Sequence, residues 1–263
     1  MRPSQRSIRQ KLERGENAYG LPVQIPSPEL VEIIGYLGYD FAWIDAEHGS
    51  LSLADLRHLI RAADAARVDA LVRVPNSDIT YIQRVLDMGA AAILVPHVRT
   101  LDEATMIAKA ARYAPDGTRG ACPFIRSVGH VSADWPADYQ RADADILIFG
   151  LIEDIEGVEN VEAIAAESGL DGLVFGPFDL SMSMGLKGQV GHPDVVKMHD
   201  RVVAATRSAG IEYVVASADW ESGGVEFSGA HIIATAGDRE LIVGAFRAPL
   251  ERLSRTFNGE GKK

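Results

Sequence analysis

The run Phe41-Ala-Trp-Ile-Asp-Ala-Glu-His48 places two carboxylates and an imidazole directly after a short apolar stretch. Asp45 and Glu47 can bind cations or accept hydrogen bonds, and His48 titrates near neutral pH, so the trio suits proton transfer beside a metal or an anion. Other apolar runs also end on charge: 69–73 on Arg73, 146–153 on Glu153 and 172–179 on Asp179. Glu153 and Asp179, on successive runs, can hold one divalent cation and leave its remaining positions to water and substrate. A pair of solvated loop acids would give the same spacing. Gly176-Pro177 favours a site, because glycine lets backbone N–H groups approach an anionic ligand closely. Ser181 is expected to cap the following helix, whose N-terminus would welcome an anion. Arg73 closes a run of Ala70, Leu71 and Val72. A buried charge is costly unless paired, so Arg73 faces an anion, either a ligand or the carboxylates of Asp45 or Glu47. Asp87, in Leu86-Asp-Met-Gly89, sits at a helix C-terminus that disfavours an acid, which calls for a specific partner. His58, His97, His130, His192, His199 and His231 have no paired motif, and packing or surface roles are expected for them.

Unbroken apolar runs are the mark of parallel strands covered on both faces. Strands are read at 19–25, 41–45, 70–74, 91–95, 144–153, 170–175, 212–217 and 231–235. Helices are read at 4–15 (polar), 29–37, 53–66, 79–88, 104–113, 158–166, 194–209, 220–227 and 239–257. Ser52, Asp78 and the Thr100/Glu103 capping box mark helix starts, and Gly15, Gly38, Gly89 and Gly210 mark stops. Pro22 argues against a central first strand unless its position has no ladder partner. The irregular stretch 114–134 is expected to form a lid or a wall of the site, and 258–263 to fray. Strand and helix alternate eight times, which specifies an α/β protein, a (β/α)8 TIM barrel in a single domain over 1–263. Asp45, Glu47, His48, Arg73, Glu153 and Asp179 then all lie at or just past strand C-terminal ends, the barrel's active face. A dinucleotide fold would need G-x-G-x-x-G after the first strand, and the sequence has none.

With 263 residues and a formal net charge of −11, the chain is unsuited to nucleic acid, whose phosphates need a basic face. Its one cysteine, Cys122, rules out an intrachain disulfide and fits a reducing compartment. No apolar run reaches the ~18 residues of a membrane span, and the Arg-rich start lacks the apolar core of a signal peptide. The expectation is a soluble, cytoplasmic enzyme of small molecules, with neither nucleic-acid nor membrane partners.

From Gly20 through Asp238 the chain resembles the HpcH/HpaI family of metal-dependent, pyruvate-using aldolases. The resemblance rests on Trp43-Ile-Asp-Ala-Glu-His48, Val72-Arg-Val-Pro75, Val85-Leu-Asp-Met-Gly89, Arg112-Tyr-Ala-Pro-Asp-Gly-Thr-Arg-Gly120 and Gly172-Leu-Val-Phe-Gly-Pro-Phe-Asp-Leu180. It implies a barrel of the phosphoenolpyruvate/pyruvate-domain type in which Glu153 and Asp179 bind Mg²⁺, Mn²⁺ or Co²⁺ and Asp45 and Glu47 hold metal-bound waters. Pyruvate would chelate that cation, its carboxylate bound by the backbone of Gly176, Pro177, Phe178 and Asp179. Arg73 would neutralise the enolate oxygen, and His48, oriented by Asp87, would move protons. The implied reaction is reversible retro-aldol cleavage of a 4-hydroxy-2-oxo acid to pyruvate, or a hydroxypyruvate-like donor, and an aldehyde. Oxaloacetate decarboxylation on the same groups and a non-catalytic oxo-acid-binding barrel are the alternatives. The resemblance also implies a homo-oligomer, hexamer or trimer, in which the last helix, 239–257, is exchanged between subunits. The chain departs from the family pattern at Pro22, at Leu151 and along 121–130, which bears on the acceptor aldehyde rather than on the enolate chemistry.

Overall fold

The computed structural model describes residues 7–215 and 229–257. The short helix expected at 220–227, the last residues of the seventh strand and the tail at 258–263 lie outside them. Helix α1 (Ser7–Glu13) leads into β1 (Ala18–Val23). The chain continues with α2 (Pro28–Tyr36), β2 (Phe41–Asp45), α3 (Leu53–Ala66), β3 (Asp69–Arg73), α4 (Ile79–Met88), β4 (Ala92–Val95) and α5 (Leu101–Ala111). After a 3₁₀ turn (Arg126–Val128) come α6 (Trp135–Asp145), β5 (Leu147–Ile152), α7 (Ile155–Glu159), α8 (Val161–Glu167), β6 (Gly172–Phe175) and α9 (Pro177–Ser183). Then follow α10 (Pro193–Ala209), β7 (Glu212–Val215), β8 (Ile232–Ala234) and α11 (Asp238–Phe257).

The eight strands pair in sequence order, all parallel, and β8 returns to β1, so the sheet is a closed barrel. Alternation along each strand sorts side chains to the two sides. Phe41, Trp43, Leu71, Leu94, Phe149 and Leu151 pack together inside the barrel, whereas Ala42, Ile44, Ala70 and Val72 join the larger core under the helices. Fully burying a ring such as Phe41 or Phe149 contributes about 1.5–3 kcal/mol, and the filled interior makes the barrel a packed core rather than a pore.

The expected caps form. Ser52 and Thr100 each close a capping box, with Asp55 and Glu103 as the answering acids. Gly89 and Gly210 end their helices in the left-handed conformation. Pro22 does stand in a barrel strand, opposite Trp43. The carbonyl of Gly20 accepts from Thr235 N–H, so even-numbered residues of β1 point their backbone groups toward β8. That ladder stops at Gly20 and Ala234, and the missing amide of Pro22 has no partner to lose.

The first helix is not the purely polar segment expected. Ile8 is fully buried in the inner core, its N–H donates to Asp69 Oδ2 at 3.0 Å, and Lys11 Nζ reaches Asp40 Oδ2 at 2.8 Å. Asp69 opens β3 and Asp40 precedes β2, so α1 closes the barrel end opposite the carboxylate-bearing one. Leu12, one turn on, packs against the same inner core, and two apolar residues in so short a helix are a weak period to read in the sequence. The expected helix at 158–166 is two, α7 and α8, joined at Asn160. No described helix is long and apolar enough to cross a membrane.

Candidate active site

The end of β2 is an anchor before it is a site. Asp45 is 2% exposed, and both of its oxygens are engaged. Oδ1 accepts from Arg73 Nε at 2.9 Å and from the N–H groups of Glu47 and His48 at 3.1 and 3.2 Å. Oδ2 accepts from Arg73 Nη2 at 2.6 Å and from Gln24 Nε2 at 2.7 Å. Asp45 and Arg73 are register partners on adjacent strands, so the sheet itself brings them together. The two backbone bonds wrap the turn after β2 around the carboxylate and so deliver Glu47 and His48 to the barrel mouth. Burial works against the Asp45 charge, yet the bonds from Arg73, Gln24 and the His48 amide hold its pKa below the ordinary value. Of the two partners considered for Arg73, the intramolecular one is present. A second carboxylate, Glu47, places Oε2 3.0 Å from Arg73 Nη1, close enough for an ion pair but without hydrogen-bond alignment.

Glu153 follows β5 and is also 2% exposed. Burial, with the charges of Glu47 and Asp179 behind it, pushes its pKa up to about 7, against a hydrogen bond and a positive charge from His97. The His97 N–H donates to Glu153 Oε1 at 2.9 Å. Among the described residues, Glu47, His97 and Glu153 form one group whose donor atoms lie within 4.8 Å of one another. Asp179 approaches Glu153 closely enough to influence its charge but stands outside that group. The acids acting on the Arg73 guanidinium are Asp45, Glu47 and Glu153, and it is already paired with the first two. A divalent cation with oxygen and imidazole donors fits this set.

Glycine at 176 is dictated by Glu153. A Cβ there would lie 2.7 Å from Glu153 Cβ and 2.8 Å from its Oε2, closer than such atoms approach. Gly176→Ala is therefore expected to displace that carboxylate and weaken cation binding by roughly 10–100-fold, the range for lost supporting contacts. Calorimetric titration with Mn²⁺ measures it, and unchanged affinity would show that Glu153 is not a ligand.

The segment after β6 differs from expectation in two details. Helix α9 starts at Pro177, and Ser181 is not its cap but a buried residue inside it, with Oγ donating to the Phe178 carbonyl at 2.7 Å. Of the backbone amides expected to bind an anion, Gly176 N–H is engaged with the Ile152 carbonyl at 2.9 Å and Pro177 has none. Phe178 and Asp179 retain theirs in the first helical turn, where N–H groups lack intrahelical acceptors.

His48 sits at the rim, 58% exposed by side chain, with Nε2 3.8 Å from Glu47 Oε2. Among the described residues of the one chain, no hydrogen bond or ion pair joins His48 to Asp87. The expected partner of this misplaced helix-end acid is Arg119, at 2.8 Å and nearly fully buried, whose guanidinium also lies over the Tyr113 ring. Asp87 lines a groove of about 520 Å³ with Arg84, Arg126 and His130, so part of the irregular stretch walls this groove. His199 packs in the core against Phe175 and Tyr213 as expected. Two residues that sequence reading passed over belong to the site: Gln24, which fixes Asp45, and His97. His97 ends the β4 run just as Arg73 ends that of β3, and that position was the available signal.

The HpcH/HpaI aldolase/citrate lyase family profile matches residues 19–245. Among relatives, the hydroxypyruvate/pyruvate aldolase of Paraburkholderia phytofirmans is 33% identical over 254 residues, covering 94% of this chain and 96% of that protein. The 4-hydroxy-2-oxovalerate aldolase of Novosphingobium aromaticivorans is 36% identical over 213 residues, 78% of this chain and 79% of its own length. Among solved structures, an HpcH/HpaI aldolase/citrate lyase family protein from Burkholderia cenocepacia J2315 superposes with a TM-score of 0.87 at 31% identity, covering 95% of this chain and 99% of the other. A closed parallel barrel, acids and an arginine at its carboxyl-end mouth, and matches running nearly end to end agree: this chain belongs to the HpcH/HpaI aldolase/citrate lyase family.

Proposed function

We propose that the protein is a divalent-cation-dependent aldolase that cleaves a 4-hydroxy-2-oxo acid reversibly into pyruvate and an aldehyde. The observation that carries this reading is the buried Glu153 carboxylate, surrounded by further acids and set at the same barrel mouth as the Arg73 guanidinium. Glu153 and Asp179 would hold the cation, with Glu47 and Asp45 beside them. When bound, the cation supplies an electron sink for the carbanion left by carbon–carbon cleavage.

The chain's own groups do the rest. The N–H groups of Phe178 and Asp179 receive the substrate carboxylate. Arg73, fixed by Asp45, places positive charge where the keto oxygen becomes enolate. His48 accepts the proton of the C4 hydroxyl as the bond breaks, and its exposure lets it exchange that proton with water or return it to the methylene carbon. Among the described residues, the strands carry no lysine, which is consistent with a reaction that needs no Schiff base. Leu151 lies inside the barrel and is 3% exposed, so it offers the acceptor pocket an apolar floor.

Chelation is expected to abolish pyruvate release, added Mn²⁺ or Mg²⁺ to restore it, and borohydride with pyruvate to trap no adduct. Activity surviving the chelator, or a trapped adduct, rejects the reading. Parallel assays on 4-hydroxy-2-oxo acids and oxaloacetate separate aldol cleavage from decarboxylation.

The protein is further proposed to assemble from several copies through α11. Leu241, Val243, Phe246, Leu250 and Leu253 are between 46% and 74% exposed on this helix, more apolar surface than a lone barrel would leave to water. Truncation after Gly237 is expected to yield smaller or insoluble species. A truncated chain that sediments like the full-length one would exclude the helix from assembly.

A further inference from the structure

Asp238 is a buried carboxylate, 4% exposed, that the proposed chemistry does not use. It opens α11, and its bonds reach back to the end of the first strand. Oδ2 accepts from the N–H groups of Gln24 at 3.0 Å and Ile25 at 2.9 Å, and Oδ1 accepts from the neighbouring Arg239 N–H at 2.7 Å. Strand pairing has already stopped at this level. The ladder between β8 and β1 ends at Ala234 and Gly20, and β1 itself ends at Val23. Gln24 continues the register that sets Val23 against Ile44, which brings it beside Asp45, and Asp45 is the register partner of Arg73. Asp238, Gln24, Asp45 and Arg73 therefore form one row across the ends of β8, β1, β2 and β3. Within it Gln24 Nε2 donates to Asp45 Oδ2 at 2.7 Å, and Arg73 grips both oxygens of Asp45.

We infer that Asp238 is a positioning residue for Arg73, acting through Gln24 and Asp45. Among the described residues no ladder bond from β8 reaches past Gly20, so the Asp238 carboxylate does there what strand pairing does lower in the barrel. It fixes the backbone of residues 24 and 25, and with it the reach of the Gln24 amide. That amide matters to Arg73 because a second acid competes for the guanidinium: Nη1 lies 3.0 Å from Glu47 Oε2. With Gln24 on Oδ2, the Asp45 carboxylate is held against rotation and the guanidinium keeps one orientation at the mouth. Without it, Asp45 turns and the guanidinium drifts toward Glu47, away from the place where the keto oxygen becomes enolate. A displacement of about 1 Å is enough to slow a reaction by on the order of 10²-fold. The inference rests on the role given to Arg73 in the aldolase reading above. Because Asp238 is the first residue of α11, the helix proposed for assembly also fastens this row.

The test compares wild type with Asp238→Asn, Gln24→Met and the double variant, each checked by thermal melting and expressed per folded molecule. Asparagine keeps the shape of Asp238 but turns one acceptor into a donor, and methionine keeps the length of Gln24 without its amide. Should Asp238→Asn fail to fold, Asp238→Ser, whose short hydroxyl still starts a helix, takes its place. With Mg²⁺ present, exchange of pyruvate methyl protons with deuterated water at saturating pyruvate should fall by on the order of 10–100-fold in each single variant. KM should stay close to that of wild type, because the amides of Phe178 and Asp179 still take the carboxylate. The double variant should lose no more than the larger single loss, as two breaks in one chain of contacts do. A second readout needs no turnover. The Arg73 Nε–H that donates to Asp45 gives a ¹H–¹⁵N NMR signal, assigned by its absence in Arg73→Lys, and this signal should shift in both single variants. Lower melting temperatures with wild-type exchange rates and an unmoved Arg73 signal overturn the inference, as does a double variant whose losses multiply. Wild type that exchanges no pyruvate protons rejects the aldolase reading instead. The Arg73 signal then decides the positioning role alone: a shift in the variants upholds it, and an unmoved signal ends it.

Discussion

Arg73→Ala is expected to slow exchange of pyruvate methyl protons with deuterated water by on the order of 10²–10³-fold, as removing a preorganised charge-stabilising donor does. Charge develops on the keto oxygen only as the proton leaves, so rate should fall more than pyruvate binding. Structure adds a complication. Arg73 also neutralises Asp45 and Glu47, through Nε and Nη2 to the first and Nη1 to the second. The alanine variant will therefore also be less stable, and its exchange rate must be expressed per folded, cation-loaded molecule. Arg73→Lys separates the two contributions, because lysine keeps the charge but loses the planar fork that matches the Asp45 carboxylate. It should recover part of the stability and only a fraction of the rate. NMR-detected exchange with cation occupancy measured alongside decides the matter. An alanine variant exchanging at the wild-type rate with full occupancy would reduce Arg73 to a structural ion-pair partner.

What the sequence made legible follows from how strongly each element announces itself. The strands of a barrel are buried on both faces, so β2 and β5 stand out as unbroken apolar runs, and the charges ending them mark the active mouth. Helix starts at Ser52 and Thr100 were readable because their caps are local chemistry. Helix α6 was not, for none of its residues is fully buried and its one apolar face is the pair Trp135 and Tyr139 against Tyr113. The pairing of Asp87 with Arg119 spans 32 residues of chain, and no local pattern encodes such a contact. An isolated histidine such as His97 is expected to pack or sit in solvent. Only the fold shows that its left-handed turn lays the ring against Glu153.

The two acids of the Asp45-Ala-Glu47 motif look equivalent in sequence, yet they should behave differently when removed. Asp45 carries five hydrogen bonds from Arg73, Gln24 and the following turn. Asp45→Ala leaves the Arg73 guanidinium buried beside Glu47 alone and unties the turn that holds His48. Breaking a buried pair from one side costs about 3–5 kcal/mol. For a chain of this size that corresponds to a fall in melting temperature of roughly 6–20 °C. Glu47 is more accessible, no hydrogen bond reaches its buried Oε2, and burial pushes its pKa up even with Arg73 close by. Glu47→Gln keeps the shape and relieves a poorly compensated charge, so melting should change little while cation affinity falls. A double-mutant cycle with Arg73→Ala checks the assignment: Asp45 should couple strongly to Arg73 in stability, Glu47 weakly. Equal melting losses for the two acids, or a fall in cation affinity without loss of stability for Asp45→Ala, would mean that Asp45 serves the cation directly instead of anchoring Arg73.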